Sequence, residues 1–540
     1  MKKKLNVKSD CRGMFNDEII EEILRVRNIK DIDHFMNPCP EDLISFERMY
    51  RIDEAAKIFI DGITNNKKFF VLFDSDTDGC CSGAIITRYL RFNGIEPYWY
   101  INSGKIHGCN EKVLEEVKKS NPDIVIIVDS LDATTEYYEN IIADKRQLII
   151  LDHHDISDKI NYDKYAILVS SNREDYPNHE LSGAGVCWKF VSYIDNLLGT
   201  VEAENLVDLA CVGILADVMS IDEERKENRY IVHKGFNNRV NPAINKIIGS
   251  YQFDSNSVLF SIAPLINAAN RYNKNKDAAL TLLADDNKEV LSHLRVLKKC
   301  KEKQTEDIND LLPDLIEQCE EQYDRNLLFV VVEIESGIAG LLSTKLVGLY
   351  KKPVIVVKET TTCYTGSARG LDNQDLRSLC ESTGCGEFNG HPGAFGVIIP
   401  YDKYEEFRDK MDNILSNEEV ENTINVDILL NVEDINQDLV DRIKELCKIS
   451  GKGFKPITFA IMSDNYTVDM VGEKQHMIVT PYDSNSFQFV KWNAGEGLCE
   501  ETEDHALCCD ELTFVGTLDA GFLARKFSLK MIVDDIIILD

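Results

Sequence analysis

The sequence predicts a multi-domain α/β protein. A parallel-sheet domain, a long helical linker, a smaller α/β domain and a C-terminal β-barrel should follow one another along the chain. Three observations predict this. The chain has 540 residues, more than one ordinary core accommodates. From residue 68, short apolar runs rich in β-branched and aromatic residues (KFFVLFDS, EPYWYI, DIVIIVDS, QLIILDHH, AILVSSN) are interleaved with helical patterns such as CSGAIITRYLRFNG. Such βαβ units build a parallel sheet covered on both faces. Beyond 425 the texture changes to closely spaced strand patterns with little helix after about 448.

Taken in order, residues 1–55 read as a helical segment, with patterns such as DEIIEEILRVRN. Residues 56–240 hold the strand and helix alternation. Residues 241–325 form a helical linker around LRVLKKCKEKQTEDINDLLPDLIEQCEEQ, with a break predicted at Pro313. A second α/β pattern begins at NLLFVVVEI and fills 326–422. Residues 423–540 show the short strands PITFAIM, YTVDMV, HMIVTPY, FQFVKW, LTFVGTL and FSLKMIV, which predict a small β-barrel or sandwich.

Composition is ordinary for a globular chain, 44% hydrophobic and 28% charged. No apolar stretch reaches membrane-spanning length, and MKKKL runs straight into polar residues rather than a signal-peptide core. A soluble cytoplasmic protein with no membrane partner is expected. The 16 cysteines form no paired C-x-x-C framework, which fits reduced, mostly buried thiols. The net charge of −32 argues against a broadly basic nucleic-acid surface. Half of it lies in residues 401–540, which carry 13 Lys/Arg against 29 Asp/Glu.

The stretch VLFDSDTDGCC places Asp74, Asp76 and Asp78 at alternate positions after an apolar run. Like charges so close repel unless something positive lies between them; an exposed acidic turn is the plain alternative. The rest of the chain favours a site. Asp129 ends IVIIVD, Asp152, His153 and His154 end LIILDHH, and Asp217 follows the apolar run of GILADVM. In open parallel sheets ligands bind at the carboxyl ends of strands. Asp and His donors suit Mn²⁺ or Mg²⁺, with imidazole favouring Mn²⁺. Two such ions form a device for attacking a phosphoester.

LDHHD at 151–155, with DSDTDG before it, VDS between and ADVM after, resembles the DHH phosphoesterase superfamily. LSGAGVCWKF, ENRYIVHKG, IAPLINAANRYN, GIAGLLSTKL, GSARG and FNGHPGAFG resemble, in order, the RecJ single-strand-specific exonucleases. ISGKGFKPITFA and FSLKMIVDDI resemble that group's OB-fold domain, and 326–422 its DHHA1-like substrate-binding domain. The resemblance implies Asp76, Asp78, Asp129, His153 and Asp217 as metal ligands for two ions, with Asp129 bridging. Asp74 would be a ligand or a supporting group and His154 would face the phosphate; Asp152, read on its own, is expected to support the site by orienting an imidazole. It implies further that Arg271, Ser367 and Arg369 grip a terminal 5′-phosphate, with Asn267, Gly390 and His391 lining the cleft. The chain departs from the pattern at Leu72, where many relatives have His, and at Asn270 and Asn389, where they often have Gly. Phe487, Phe489 and Trp492 are candidate stacking residues for single strands, or buried strand residues.

The expected activity is metal-dependent 5′→3′ hydrolysis of single-stranded DNA. The acidic C-terminal domain leaves room for a single-strand-binding or other replication or repair protein. Two rivals stand beside this: a DHH phosphodiesterase for oligoribonucleotides or cyclic dinucleotides, and a catalytically weak scaffold for replication proteins.

Overall fold

The computed structural model describes residues 4–538 apart from 105, 133–134, 158, 174–175, 335–336, 372–373, 417–422, 473–475, 483–485, 509–510 and 524–525. All five apolar runs between 68 and 171 form strands. They make one parallel sheet in the order Tyr98–Ile101, Phe69–Phe73, Ile124–Val128, Gln147–Asp152, Ile167–Ser170. Side chains alternate across it. Phe69, Val71 and Phe73 pack with helices Thr77–Phe92 and Gly183–Leu198, whereas Phe70 and Leu72 pack with helices Glu111–Ser120 and Glu136–Ile142. Burial on both faces explains why these strands read as continuous apolar runs. The first strand in sequence lies between the second and the third, so a crevice opens at the carboxyl ends of Phe69–Phe73 and Ile124–Val128.

The linker contains the 34-residue helix Asn287–Glu320. It passes through Pro313 without ending there, contrary to the expected break. Pro313 is exposed, and buried Leu297, Cys300 and Ile308 before it and Leu315 and Cys319 after it anchor both halves. Packing on both sides offsets the roughly 3 kcal/mol that an interior proline costs.

The second α/β unit has a mixed sheet in the order Glu387–His391, Ala394–Pro400, Cys363–Arg369, Val354–Glu359, Leu328–Val331. Its last two strands are parallel and the other neighbours antiparallel.

The C-terminal region departs from the expected barrel. Its strands form an eight-stranded mixed sheet whose two edges, Lys4–Asp10 and Tyr466–Val471, do not pair with each other among the described residues. Lys4–Asp10 lies in the segment expected to be helical and pairs in parallel with Thr423–Leu430. A strand this short and polar, KLNVKSD, gains its place only from a partner more than 400 residues away. Helix Gly495–Cys508 also interrupts a stretch expected to be almost free of helix. Among the described residues, no helix is long and apolar enough to cross a membrane.

One buried carboxylate ties the two ends of the chain together. Asp427 accepts from Arg27 Nε at 2.9 Å and Nη2 at 2.6 Å, from Lys8 Nζ at 3.0 Å, and from Thr458 N and Oγ1 at 3.0 Å each. Its side chain is 3% exposed. Removing one member of a buried pair leaves the other uncompensated. Asp427→Ala is therefore expected to lower stability by roughly 3–5 kcal/mol in urea melts, with the strand Lys4–Asp10 released first in hydrogen exchange.

Candidate metal centre

The chain leaves strand Phe69–Phe73 at Asp74 and turns into helix Thr77–Phe92, which Asp76 caps by accepting from Gly79 N at 2.9 Å. Asp78, in the first turn, is held by a second helix start. It accepts from Gly183 N at 2.7 Å, Ser182 Oγ at 2.9 Å and Ala184 N at 3.1 Å. Helix N-termini carry partial positive charge, which eases part of the repulsion. Asp129 follows Ile124–Val128 with φ of +52°, a left-handed conformation for a non-glycine residue. Asp152 ends Gln147–Asp152, and His153 and His154 follow it. Asp217 arrives differently from the other groups: it caps the C-terminus of helix Val207–Ala216, not a strand.

These groups converge. His153 Nε2 lies 3.1 Å from Asp129 Oδ1, 3.4 Å from Asp217 Oδ2 and 3.9 Å from Asp78 Oδ2. Three sets of donor atoms lie within 4.8 Å of one another: Asp74, Asp76 and Asp129; Asp129, His153 and His154; and Asp78, His153 and Asp217. Asp129 belongs to two of them. Close packing surrounds the donors, since a Cβ on Gly213 would sit 2.2 Å from Asp78 Oδ1 and one on Gly183 would sit 2.6 Å from Asp129 Oδ1.

Without a counter-charge, Asp76, Asp129 and Asp217 resist ionisation. Burial, reinforced by Asp74 and Asp78, pushes Asp76 up to about 7. Burial, then Asp78 and Asp76, pushes Asp217 up to about 8. Asp129 is driven well above the ordinary carboxylate range, by burial first and then by Asp78 and Asp76. Asp129 Oδ1 is buried and accepts no hydrogen bond. An orphaned carboxylate oxygen facing imidazole and carboxylate donors is the arrangement a divalent cation resolves, so the residues fit two such ions. Burial lowers His153, leaving a neutral imidazole able to donate a lone pair.

His154 differs from its neighbour. Burial pushes it down, but its hydrogen bond to Asp152 and the charges of Asp152, Asp217 and Asp74 outweigh that and raise it to about 9. Its Nδ1 lies 2.9 Å from Asp152 Oδ1, while Asp152 Oδ2 accepts from Leu131 N at 2.8 Å. With Nδ1 engaged, Nε2 is the nitrogen left to a ligand.

A cleft of about 320 Å³ adjoins the cluster, lined by Asp74, Ser75, Asp76, His107, Asn267, Asn270 and Arg271. Helix Ala263–Arg271 docks on the aspartate loop through side chains: Thr77 Oγ1 donates to Asn267 Oδ1 at 3.1 Å and Asn270 Nδ2 to Ser75 Oγ at 3.2 Å. Arg271 donates to Gln304 Oε1 at 3.1 Å, and its Nε is buried without a partner. Burial lowers its pKa first, and the charge of the Arg369 guanidinium adds to that. Neither has a carboxylate partner among the described residues. Arg369 lies against Gly340, where a Cβ would meet its Nη2 at 2.7 Å. Ser367 shares strand Cys363–Arg369 with it, whereas Gly390 and His391 lie on the exposed edge strand Glu387–His391. Asn389 is exposed on that same strand.

Leu72 is fully buried among Phe70, Cys109, Val113 and Ile127 and offers no donor. Phe487 and Phe489 are buried in the C-terminal core, with Phe489 stacked on Phe514 at 4.1 Å, and so present no face to a base. Trp492 is 41% exposed. His107 was not singled out by the sequence, although it lines the cleft beside Asp74; the string IHGCN carries one histidine in a loop with no strand-end pattern to mark it.

Residues 68–214 match the profile of the DHH family, N-terminal domain. The prophage protein YorK of Bacillus subtilis, named for a single-strand-DNA-specific exonuclease, is 29% identical over 71% of this chain and 72% of its own length. The single-stranded-DNA-specific exonuclease RecJ of the same organism is 27% identical over 86% of this chain, which spans 61% of that relative. The crystal structure of RecJ with Mn²⁺ from Thermus thermophilus superposes with a TM-score of 0.78 at 18% identity, covering 99% of this chain and 79% of that one.

Raised carboxylate pKa values have a definite sign. A group whose folded pKa is above its unfolded value stabilises the fold at low pH and loses that contribution as pH rises. In EDTA, the melting temperature is expected to fall between about pH 4 and 8 as Asp76 and Asp217 ionise. Mn²⁺ should restore it, and calorimetry in buffers of different ionisation enthalpy should show protons released on binding near neutral pH.

Proposed function

We propose that this RecJ-like member of the DHH superfamily is a metal-dependent exonuclease that hydrolyses single-stranded DNA from the 5′ end to 5′-mononucleotides. The convergence of Asp78, Asp129 and Asp217 on His153 Nε2, with Asp129 Oδ1 left without a hydrogen bond, carries the reading. Asp74, Asp76, Asp78, Asp129, His153 and Asp217 would hold two divalent cations, with imidazole favouring Mn²⁺ over Mg²⁺. Bound there, the cations would lower the pKa of water and neutralise phosphoryl oxygens.

The chain's own groups do the rest. His154, kept cationic by Asp152, points its free nitrogen at the scissile phosphate and stabilises the charge that develops on it. Asp152 is a positioning residue, fixing the imidazole's orientation. Water attacks phosphorus and gives up a proton to solvent as the bond to the leaving 3′-oxygen breaks, and that oxygen takes a proton from solvent or a nearby acid to become the 3′-hydroxyl. Arg271 and Arg369, with Ser367, bind the terminal 5′-phosphate, whose extra charge and free oxygens a guanidinium fork prefers to a diester. Asn267 sets the cleft wall, and Gly390 and His391 approach from the accessory domain. In this reading 326–422 is a DHHA1-like domain. The C-terminal sheet is an opened OB-like unit, whose acidic surface suits a basic patch on a single-strand-binding or other replication or repair protein.

Digestion of end-labelled single-stranded DNA, duplex DNA and RNA with Mn²⁺, Mg²⁺ or EDTA tests this. Single-stranded DNA should be cut from the 5′ end, with none cut in EDTA; release of 3′ label first would reverse the polarity. Asp129→Ala is expected to lose activity by on the order of 10³-fold or more, with the fold retained by circular dichroism. Arg369→Ala should lose most of the preference for 5′-phosphorylated over 5′-hydroxyl strands in competition, a change of about ten- to a hundredfold.

A further inference from the structure

The loop between strand Tyr98–Ile101 and helix Glu111–Ser120 is built to present one side chain. Asn102 Nδ2 donates to Gly108 O at 2.9 Å and Asn110 Nδ2 to Asn102 Oδ1 at 2.8 Å. Cys109 N donates to Asp132 Oδ2 at 2.8 Å, and Asn275 Nδ2, from the start of helix Asn275–Leu283, donates to Gly104 O at 3.0 Å. Gly108 has φ of +73°, and a Cβ there would sit 1.7 Å from Asp132 Oδ1, so this position accepts only glycine.

The loop ends on Asp74. Gly108 N donates to Ser130 Oγ at 2.7 Å, and the same hydroxyl donates to Asp74 Oδ1 at 3.3 Å. His107 Nδ1 lies 3.0 Å from that oxygen. A carboxylate only accepts, so Nδ1 carries the proton. Asp74 Oδ1 thus takes two donors from one loop and its anchor, while Oδ2 receives only a long contact, 3.4 Å, from Asp76 N. Such an arrangement turns one oxygen away and leaves the other to a ligand. The neighbouring strand supplies no donor here: Leu72 lies on the face shared with Asp74 and is fully buried in apolar surroundings. The His107 ring also meets His154 edge-on, with centroids 4.9 Å apart.

We propose that His107 is a positioning residue of the metal centre, holding Asp74 so that Asp74, Asp76 and Asp129 assemble one of the two cation sites. The inference rests on the divalent-cation reading above. Outer partners that orient a ligand typically contribute about tenfold to a hundredfold in metal affinity.

The test is Mn²⁺ binding to the full chain without DNA, read as free Mn²⁺ by electron paramagnetic resonance, for wild type, His107→Ala and His107→Asn. The His107 side chain is 41% exposed, so both variants should fold, which melting in EDTA verifies. Asparagine places an amide N–H near the position of Nδ1 and lacks the second ring nitrogen. Expected is a roughly tenfold or greater weakening of one of the two ions in His107→Ala, the other unchanged, with most of the loss recovered in His107→Asn. Unchanged binding of both ions in His107→Ala overturns the assignment, as does His107→Asn binding no better than alanine. Failure of the wild type to bind Mn²⁺ would instead remove the divalent-cation reading itself.

Discussion

Repulsion among buried carboxylates is the constraint around which this molecule is arranged. Asp78 and Asp129 are almost inaccessible to water, and Asp74, Asp76 and Asp217 stand beside them. In a medium of low dielectric such a cluster is costly unless counter-charge is supplied. The fold supplies part of it through dipoles: a helix start at Asp76, a second at Ser182 to Ala184 around Asp78, and hydrogen bonds from the His107 loop to Asp74. The remainder would fall to bound cations, and the oxygen of Asp129 that accepts no hydrogen bond is left without compensation from the protein.

The same constraint explains local features that would otherwise look like defects. Asp129 and Val218, the residue after Asp217, adopt left-handed backbone although neither is glycine. Gly183 and Gly213 lack a Cβ where one would collide with the carboxylates of Asp129 and Asp78. Backbone strain of this kind persists only where the surroundings over-determine it. Here the surroundings are the two strand ends that flank the topological switch of the parallel sheet and the helices packed beneath them.

Overall charge and local charge point in opposite directions. A chain of net charge −32 nevertheless holds Arg271 and Arg369 largely buried, close enough to influence each other and without carboxylate partners among the described residues. Two guanidiniums this close, without a carboxylate between them, favour an anion nearby, whatever the exterior carries. The acidity instead gathers in the C-terminal region, whose sheet is fastened to the N-terminal strand through Asp427, Arg27 and Lys8.

By itself the sequence determined what depends on local pattern. Apolar runs of five or six residues ended by Asp74, Asp129 and Asp152 were legible as strands of a covered parallel sheet, because burial on both faces leaves continuous runs and the topology places their ends on one edge. The histidine pair after the fourth run was legible for the same reason. Only tertiary structure decided the rest. His107 sits in a loop without periodicity, and its role exists only where Gly108, Ser130 and Asp74 meet in space. The continuity of the helix through Pro313 depends on packing at both ends, which overrides a local breaker. The place of Lys4–Asp10 depends on Thr423–Leu430, and closure of a barrel depends on edge pairing that no single strand encodes. Phe487 and Phe489 alternate as an exposed stacking pair would, yet face the core, because the face of a strand is set by its partners. Short-range periodicity is written in neighbouring residues; contacts across hundreds of residues are written only in the folded chain.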